Sequence, residues 1–113
     1  MNPIEFKMTK TQAGAANVLA LEGHLNALSA PELEAVVETL LASDTKRLIF
    51  ECSALQYASS AGLRIFVMAV KRLKATGGSC AFAGLTPPVN AVFEMSGFLE
   101  VMEVYPGLEE ATG

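Results

Sequence analysis

The sequence predicts one α/β domain with a mostly parallel sheet of four to five strands, an antiparallel first strand and three to four helices. Apolar runs typical of strands alternate with amphipathic helical patterns, and such repeated units imply right-handed crossovers between parallel strands. At 113 residues and 51% hydrophobic content, the chain can bury one core and has no room for a second domain. We expect residues 1–106 to form the domain and residues 107–113 to be a loose tail.

The N-terminal segment is predicted to form a hairpin. Apolar residues alternate at Ile4, Phe6 and Met8, which indicates a strand with one exposed face. Gly14 marks a turn, and a second strand follows over residues 18–21.

A first helix follows this hairpin. Ser29 and Glu32 have the spacing of a capping box, and Pro31 falls in the first turn, where its missing N–H is harmless. Its predicted apolar face consists of Leu33, Val36, Val37, Leu40 and Leu41.

The central unit is a strand over residues 47–52 and a helix over residues 61–76. The strand carries the unbroken apolar run Leu48-Ile49-Phe50, which is expected of a strand buried on both faces. The helix has apolar residues at helical spacing, so we expect its core-facing stripe to be Leu63, Phe66, Val67, Val70 and Leu73.

The remaining elements continue the alternation. A turn at residues 77–78 leads to a strand over residues 80–85, and Thr86 is placed to cap a third helix that ends at Gly97. Residues 101–105 are expected to add a short strand or helix. The third helix carries two prolines in its first turn and an apolar face of Val89, Val92 and Phe93.

Charge and composition exclude several functions. The formal net charge of −4 argues against a nucleic-acid surface, and the small basic cluster of Lys71, Arg72 and Lys74 is expected to be a solvated helix face. Cys52 and Cys80 fall inside predicted strands, which favours buried reduced thiols, and no CxxC or His-Cys cluster suggests a metal or cofactor. With no basic leader and no window of 18 apolar residues, we expect a soluble cytoplasmic protein without membrane contact.

Two serines stand where the central strand meets its helix. Ser59 and Ser60 fall at the helix N-terminus, where unpaired N–H groups and the helix dipole suit a capping hydroxyl, an anion or a phosphoryl group. On local sequence alone, ordinary helix capping is the favoured explanation of such serines.

The segment from Glu51 to Leu63, E-C-S-A-L-Q-Y-A-S-S-A-G-L, resembles the STAS domain of bacterial anti-sigma factor antagonists. The resemblance covers nearly the whole chain. Residues 21–27 look like the first turn of that family, and residues 77–98 look like its second half.

This resemblance implies a phosphorylation switch. The unmodified domain would bind an anti-sigma factor that is also a serine kinase and would be inactivated when that kinase phosphorylates one serine, with a serine phosphatase to reverse the step. Alignment on Gly62-Leu63 puts the phosphoacceptor on Ser60, with Ser59 as the runner-up. This sequence departs from the family pattern at four positions. Ser59, Asn26 and Glu51 stand where many members carry Asp. Ala61 stands where members often carry Ser or Thr.

The predicted partner surface extends from the serines along the helix. A second stripe of Ile65, Met68, Ala69 and Arg72 lies opposite the core stripe, and these side chains form an interface if they are exposed. We expect a monomer or weak dimer that contacts its partner through Asn26, Ser59, Ser60, Ala61, Gly62, Arg64, Ile65, Met68 and Arg72.

Three alternatives stay open. Residues 58–62 resemble a degenerate nucleophile elbow, but the only His, His24, and the only Asp, Asp44, both precede Ser60, so we expect no enzyme activity. Nucleotide binding at the helix start lacks a Walker-type Gly-rich run with Lys. A divergent STAS module could also scaffold another complex without regulated phosphorylation.

Overall fold

The computed structural model describes residues 5–112, so the predicted strand residue Ile4 lies outside the described part. One sheet has the strand order β1-β2-β3-β4-β5. β1 pairs with β2 antiparallel and every other pair is parallel, which confirms the predicted α/β class. The strands are β1 (Phe6–Ala13), β2 (Ala16–Leu25), β3 (Arg47–Ala58), β4 (Ser79–Ala83) and β5 (Glu103–Tyr105).

The helices connect these strands. They are α1 (Ala30–Ala42), α2 (Ser60–Ala75), α3 (Pro87–Ser96) and α4 (Leu108–Thr112), and a 3₁₀ turn over Phe98–Val101 joins α3 to β5. The prediction of a short strand or helix after α3 is confirmed as a 3₁₀ turn followed by a strand. Within residues 5–112, no helix is long and apolar enough to cross a membrane.

Four phenylalanines form the centre of the main core. Phe50 and Phe82 lie on neighbouring strands, whereas Phe66 and Phe93 come from α2 and α3, and all four are fully buried. Ring centroids of the contacting pairs are 4.9 to 5.8 Å apart, mostly in edge-to-face arrangements. The cluster therefore locks α2 and α3 to one face of the sheet.

The C-terminal segment corrects the predicted loose tail. Leu108–Thr112 form α4, in which Ala111 is only 4% exposed, and the Arg47 guanidinium donates a 2.7 Å hydrogen bond to the Ala111 carbonyl. This short helix covers a second apolar cluster on the opposite face of the sheet, made by Ala16, Val18, Ile49, Ala81, Ala83 and Ala111. A helix of five residues is too short to show a helical period in the sequence. Its position becomes clear only in the structure, where it covers the second apolar cluster.

The predicted hydroxyl caps are also corrected. Neither Ser29 nor Thr86 makes a side-chain cap hydrogen bond. The Ser29 hydroxyl donates to the His24 carbonyl at 2.9 Å, and the Thr86 hydroxyl donates to the Leu55 carbonyl at 2.7 Å. Each hydroxyl therefore holds a helix start against a strand, α1 against β2 and α3 against β3, because the tertiary fold offers these carbonyl acceptors. Gly97 ends α3 with φ of 78°, as predicted.

β2 and β3 run further than the apolar pattern predicts. The apolar pattern predicts strands only over residues 18–21 and 47–52, yet His24 pairs with Tyr57 and Leu25 pairs with Ala58. The pairing of β2 with β3 contains register shifts on both sides of Gly23, whose φ is 93°. Such irregularities break the period of a strand without ending it, so the pattern underestimates its length.

The buried face of α2 is turned relative to the predicted stripe. Ile65 is 5% exposed and Ala69 is fully buried, whereas Val67 and Val70 are only partly buried. The reason is that α2 packs against α1 as well as against the sheet. The second stripe, which forms an interface only if it is exposed, is therefore buried at Ile65 and Ala69.

Cys52 and Cys80 are free and buried, as predicted. Burial disfavours the charged thiolate and raises the pKa of both thiols far above the ordinary value for cysteine.

Candidate functional site

The junction of β3 and α2 is abrupt. Ser59 alone separates the two elements, in an extended conformation with φ of −85° and ψ of 176°. Its N–H donates to the Leu25 carbonyl at 2.8 Å, and its carbonyl accepts from the Leu63 N–H at 2.9 Å. The start of α2 is thereby fixed to the end of β2.

The two serines differ in accessibility. Ser60, the first residue of α2, is exposed. The Ser59 hydroxyl oxygen is buried and has no hydrogen-bond partner among the described residues, and it does not cap the helix. Of the two serines, therefore, Ser60 is the one that is exposed to solvent.

Gly62 and Asn26 have structural roles at this junction. Gly62 is buried against the Leu25 side chain and presents no side chain to a partner. The Asn26 side-chain oxygen accepts from the Leu28 N–H at 2.9 Å and the Ser29 N–H at 3.2 Å. Asn26 thus shapes the β2–α1 turn, as asparagine side chains commonly do by bonding to nearby backbone N–H groups.

A groove of about 300 Å³ lies between the starts of α1 and α2. Arg64 and Glu34 are exposed on it, and Met68 is half-buried. The groove brings together four of the predicted partner-binding residues with the first turn of α1. Its lining consists of Ala27, Ala30, Pro31, Glu34, Ala61, Arg64, Ile65 and Met68.

Arg72 lies outside this groove. Its guanidinium forms a 2.7 Å ion pair with Glu38 of α1, and both side chains are about half exposed. The same nitrogen lies 3.6 Å from the Met68 sulfur. Arg72 therefore links α2 to α1, although the sequence places it on the contact stripe.

Two exposed apolar residues near the serines escaped the sequence analysis. Leu28, in the β2–α1 turn, is 92% exposed, and Tyr57 on β3 is 45% exposed with its ring edge-to-face with His24 at 5.8 Å. Leu28 lines a second depression of about 460 Å³ beside Asn26 and Ser29. The sequence did carry a signal for Leu28, because a bulky apolar residue within a turn of small residues has no core to enter and indicates an exposed contact. Residues 5–112 contain no group of His, Cys, Asp and Glu that could hold a metal ion.

These features define a class of small α/β binding domain, in which an exposed serine at a helix start adjoins a groove between two helices. The chain belongs to the STAS domain family, whose model matches residues 7–111.

Named relatives agree with this assignment. The chain is 32% identical over 106 residues to BtrV of Bordetella bronchiseptica, which is named as a candidate anti-sigma factor antagonist, and the match covers 94% of this chain and 91% of BtrV. An anti-sigma factor antagonist from Mycobacterium paratuberculosis has a similar structure, with a TM-score of 0.89 at 20% identity over 97% of this chain and 93% of that one.

A third related fold has been solved in two states. The anti-sigma factor antagonist SpoIIAA in its unphosphorylated form gives a TM-score of 0.79 at 22% identity, covering 95% of this chain and 92% of that one. The phosphorylated form of SpoIIAA from Bacillus gives a TM-score of 0.73 at 21% identity, covering 95% of this chain and 96% of that one.

Proposed function

We propose that this chain is an anti-sigma factor antagonist, which binds an anti-sigma factor when unmodified and releases it when Ser60 is phosphorylated. Membership of the STAS family and the names of the relatives support the binding function. The observation that carries the switch is the contrast between the exposed Ser60 and the buried hydroxyl of Ser59. In this role the chain acts in the cytoplasm, and its binding state regulates transcription.

A phosphate on Ser60 can be accommodated by the fold. α2 has 16 residues, and the unpaired N–H groups and positive dipole end of its first turn favour an anion. Phosphorylation adds close to two negative charges at pH 7 together with three acceptor oxygens. The domain can therefore stay folded while its surface changes.

The same phosphate is unfavourable in a contact. A partner packed over Ser60 would have to bury those charges without a matching cation, which costs more than the helix end returns. The neighbouring groove carries one carboxylate, on Glu34, and one guanidinium, on Arg64, so it offers no excess of positive charge to offset the phosphate. One modification can thus dissociate a complex without unfolding the domain.

The binding surface in this proposal is centred on the groove beside Ser60. The partner would insert an apolar side chain between α1 and α2, against Ala61 and Met68, while Arg64 contributes a polar rim. Leu28 extends this surface on the other side of the β2–α1 turn. Ile65 and Gly62 shape the groove from below, and Ser59 and Asn26 set its geometry.

The partner in this proposal is an anti-sigma factor with serine kinase activity, and a serine phosphatase returns the chain to its binding form. The chain itself acts by binding. The catalytic alternative would need a base beside Ser60. The one histidine in the sequence, His24, instead packs its ring edge-to-face against Tyr57.

Titration calorimetry with the purified anti-sigma factor tests the proposal. Ser60→Asp should bind at least tenfold more weakly than wild type, a loss of about 1.4 kcal/mol, and Ser60→Ala should bind as wild type does. Circular dichroism should show all three folded. Equal affinity for Ser60→Asp and wild type would refute the switch, and tight binding to a partner without kinase activity would favour the scaffold alternative.

A further inference from the structure

Arg64 is an exposed cation near the start of α2, four residues after Ser60. It forms no ion pair with any carboxylate of residues 5–112. Arg72 on the same helix differs, because its guanidinium is held by Glu38 at 2.7 Å. The groove beside Arg64 contains one carboxylate, on Glu34, and the two side chains line it without pairing. The charge of Arg64 is therefore not compensated within the described part of the unmodified chain.

The spacing of Ser60 and Arg64 makes their side chains neighbours on the helix surface. Residues four apart in an α-helix have Cβ atoms about 5–6 Å from each other. Helical side chains lean toward the N-terminus of their helix, so the methylene groups of Arg64 extend back toward Ser60. The guanidinium at the end of this stem can therefore reach a group attached to the Ser60 oxygen.

We propose that Arg64 holds the phosphate of phosphorylated Ser60 in an ion pair along the first turns of α2. This role rests on the proposed function, in which Ser60 is phosphorylated. A phosphoserine carries close to two negative charges at pH 7, and the planar guanidinium can donate two parallel N–H groups to its oxygens. Of the four basic residues of α2, Arg64 alone lies about one turn from the phosphate. Lys71, the next along the helix, lies 11 residues after Ser60, which corresponds to about 16 Å along the helix axis.

The ion pair changes the groove between α1 and α2 in two ways. Before modification, the carboxylate of Glu34 and the guanidinium of Arg64 are the charged groups that line it, and their charges balance. After modification, the phosphate engages Arg64, so a partner loses a hydrogen-bond donor at the rim. The phosphate also keeps about one unpaired negative charge near Glu34, which opposes a buried contact. The pair adds to the attraction between the anion and the helix N-terminus, so the modified domain stays folded.

Phosphorus NMR tests the ion pair without any kinase, on a chain in which phosphoserine is incorporated genetically at position 60. The guanidinium favours the phosphate dianion, so the phosphate pKa should rise by about 0.3 units or more in Arg64→Gln. Arg64→Lys keeps the charge but loses the bidentate geometry, so it should restore part of the shift. The side-chain N–H signals of Arg64 should move with the same pH midpoint as the phosphate.

Lys71→Gln is the matched control, because it removes the same charge from an exposed position of α2 that lies beyond the Debye length of about 8 Å at physiological ionic strength. Its phosphate should titrate as in the parent phosphoprotein, and circular dichroism should show every variant folded. Equal phosphate pKa values in the parent and in Arg64→Gln, or an equal rise in Lys71→Gln, would overturn the ion pair. Because the phosphoserine is installed directly, a kinase that leaves Ser60 unlabelled would contradict the proposed function and not the ion pair.

Discussion

Gly62 lies so close to Leu25 that a Cβ atom on Gly62 would come within 2.6 Å of the Leu25 Cγ and Cδ2 atoms. Leu25 is fully buried at the end of β2. The backbone hydrogen bond from the Ser59 N–H to the Leu25 carbonyl lies beside this contact. Together they seat the first turn of α2 directly on β2 and determine where Ser60 emerges.

Gly62→Ala should therefore destabilise the domain although alanine favours helices. Overpacking against Leu25 costs about 1–3 kcal/mol, and the gain in helix propensity offsets at most about 1 kcal/mol. Urea denaturation should show a lower free energy of unfolding. Leu25→Val in the same chain makes space and should recover part of the loss, so additive effects of the two changes would contradict direct contact.

Ser60→Ala should abolish phosphorylation by the cognate kinase, whereas Ser59→Ala should be labelled like wild type. The reason is that the Ser59 hydroxyl is buried and the Ser60 residue is exposed. Labelling with radioactive ATP and mass spectrometry of the phosphopeptide measure this. Loss of labelling in Ser59→Ala alone would transfer the role to Ser59.

Met68→Glu should weaken anti-sigma factor binding at least tenfold, because it places a carboxylate in the groove between α1 and α2. Arg72 lies one turn later and can pair with the new charge, so α2 should stay folded. Ala75→Glu, at the exposed far end of the same helix, is the matched control for added charge and should bind normally. Equal affinities measured by calorimetry for the two variants would place the contact elsewhere.

Arg47→Met should release α4 from the sheet. The Arg47 guanidinium donates to Ala111 at 2.7 Å, to Ser79 at 2.8 Å and to Glu103 at 3.0 Å, so its loss leaves several polar groups without partners. We expect a loss of about 1–3 kcal/mol in unfolding free energy, together with faster amide exchange at residues 108–112.

Lys46→Ala is the matched control for Arg47→Met. Lys46 forms an exposed ion pair with Asp44 at 3.6 Å, with 64% and 88% of the two side chains exposed, and such pairs contribute little to stability. The control should behave as wild type. Unchanged exchange at residues 108–112 in Arg47→Met would show that apolar packing alone holds α4.

Several features of this fold could be predicted because their signals are local. The alternation of strands and helices, the α3 stop at Gly97 and the burial of Cys52 and Cys80 follow from residue type and short-range spacing. The motif around Ser60 is equally local, since a strand, a turn of small residues and a helical period adjoin one another. These features carried both the family resemblance and the candidate phosphoacceptor.

Other features depend on contacts between segments that are distant in the chain. The sequence alone placed two serines at a helix start, but β2 had to pack beside that start before one hydroxyl was buried and the other exposed. Packing of α1 on α2 turned Ile65 into the core and left Val67 and Val70 only partly buried. The apolar second face of the sheet converted the expected tail into α4. The sequence by itself thus determined the order of the main strands and helices and the position of the candidate site. The tertiary structure decided which side chains reach solvent, because burial depends on neighbours that local periodicity does not contain.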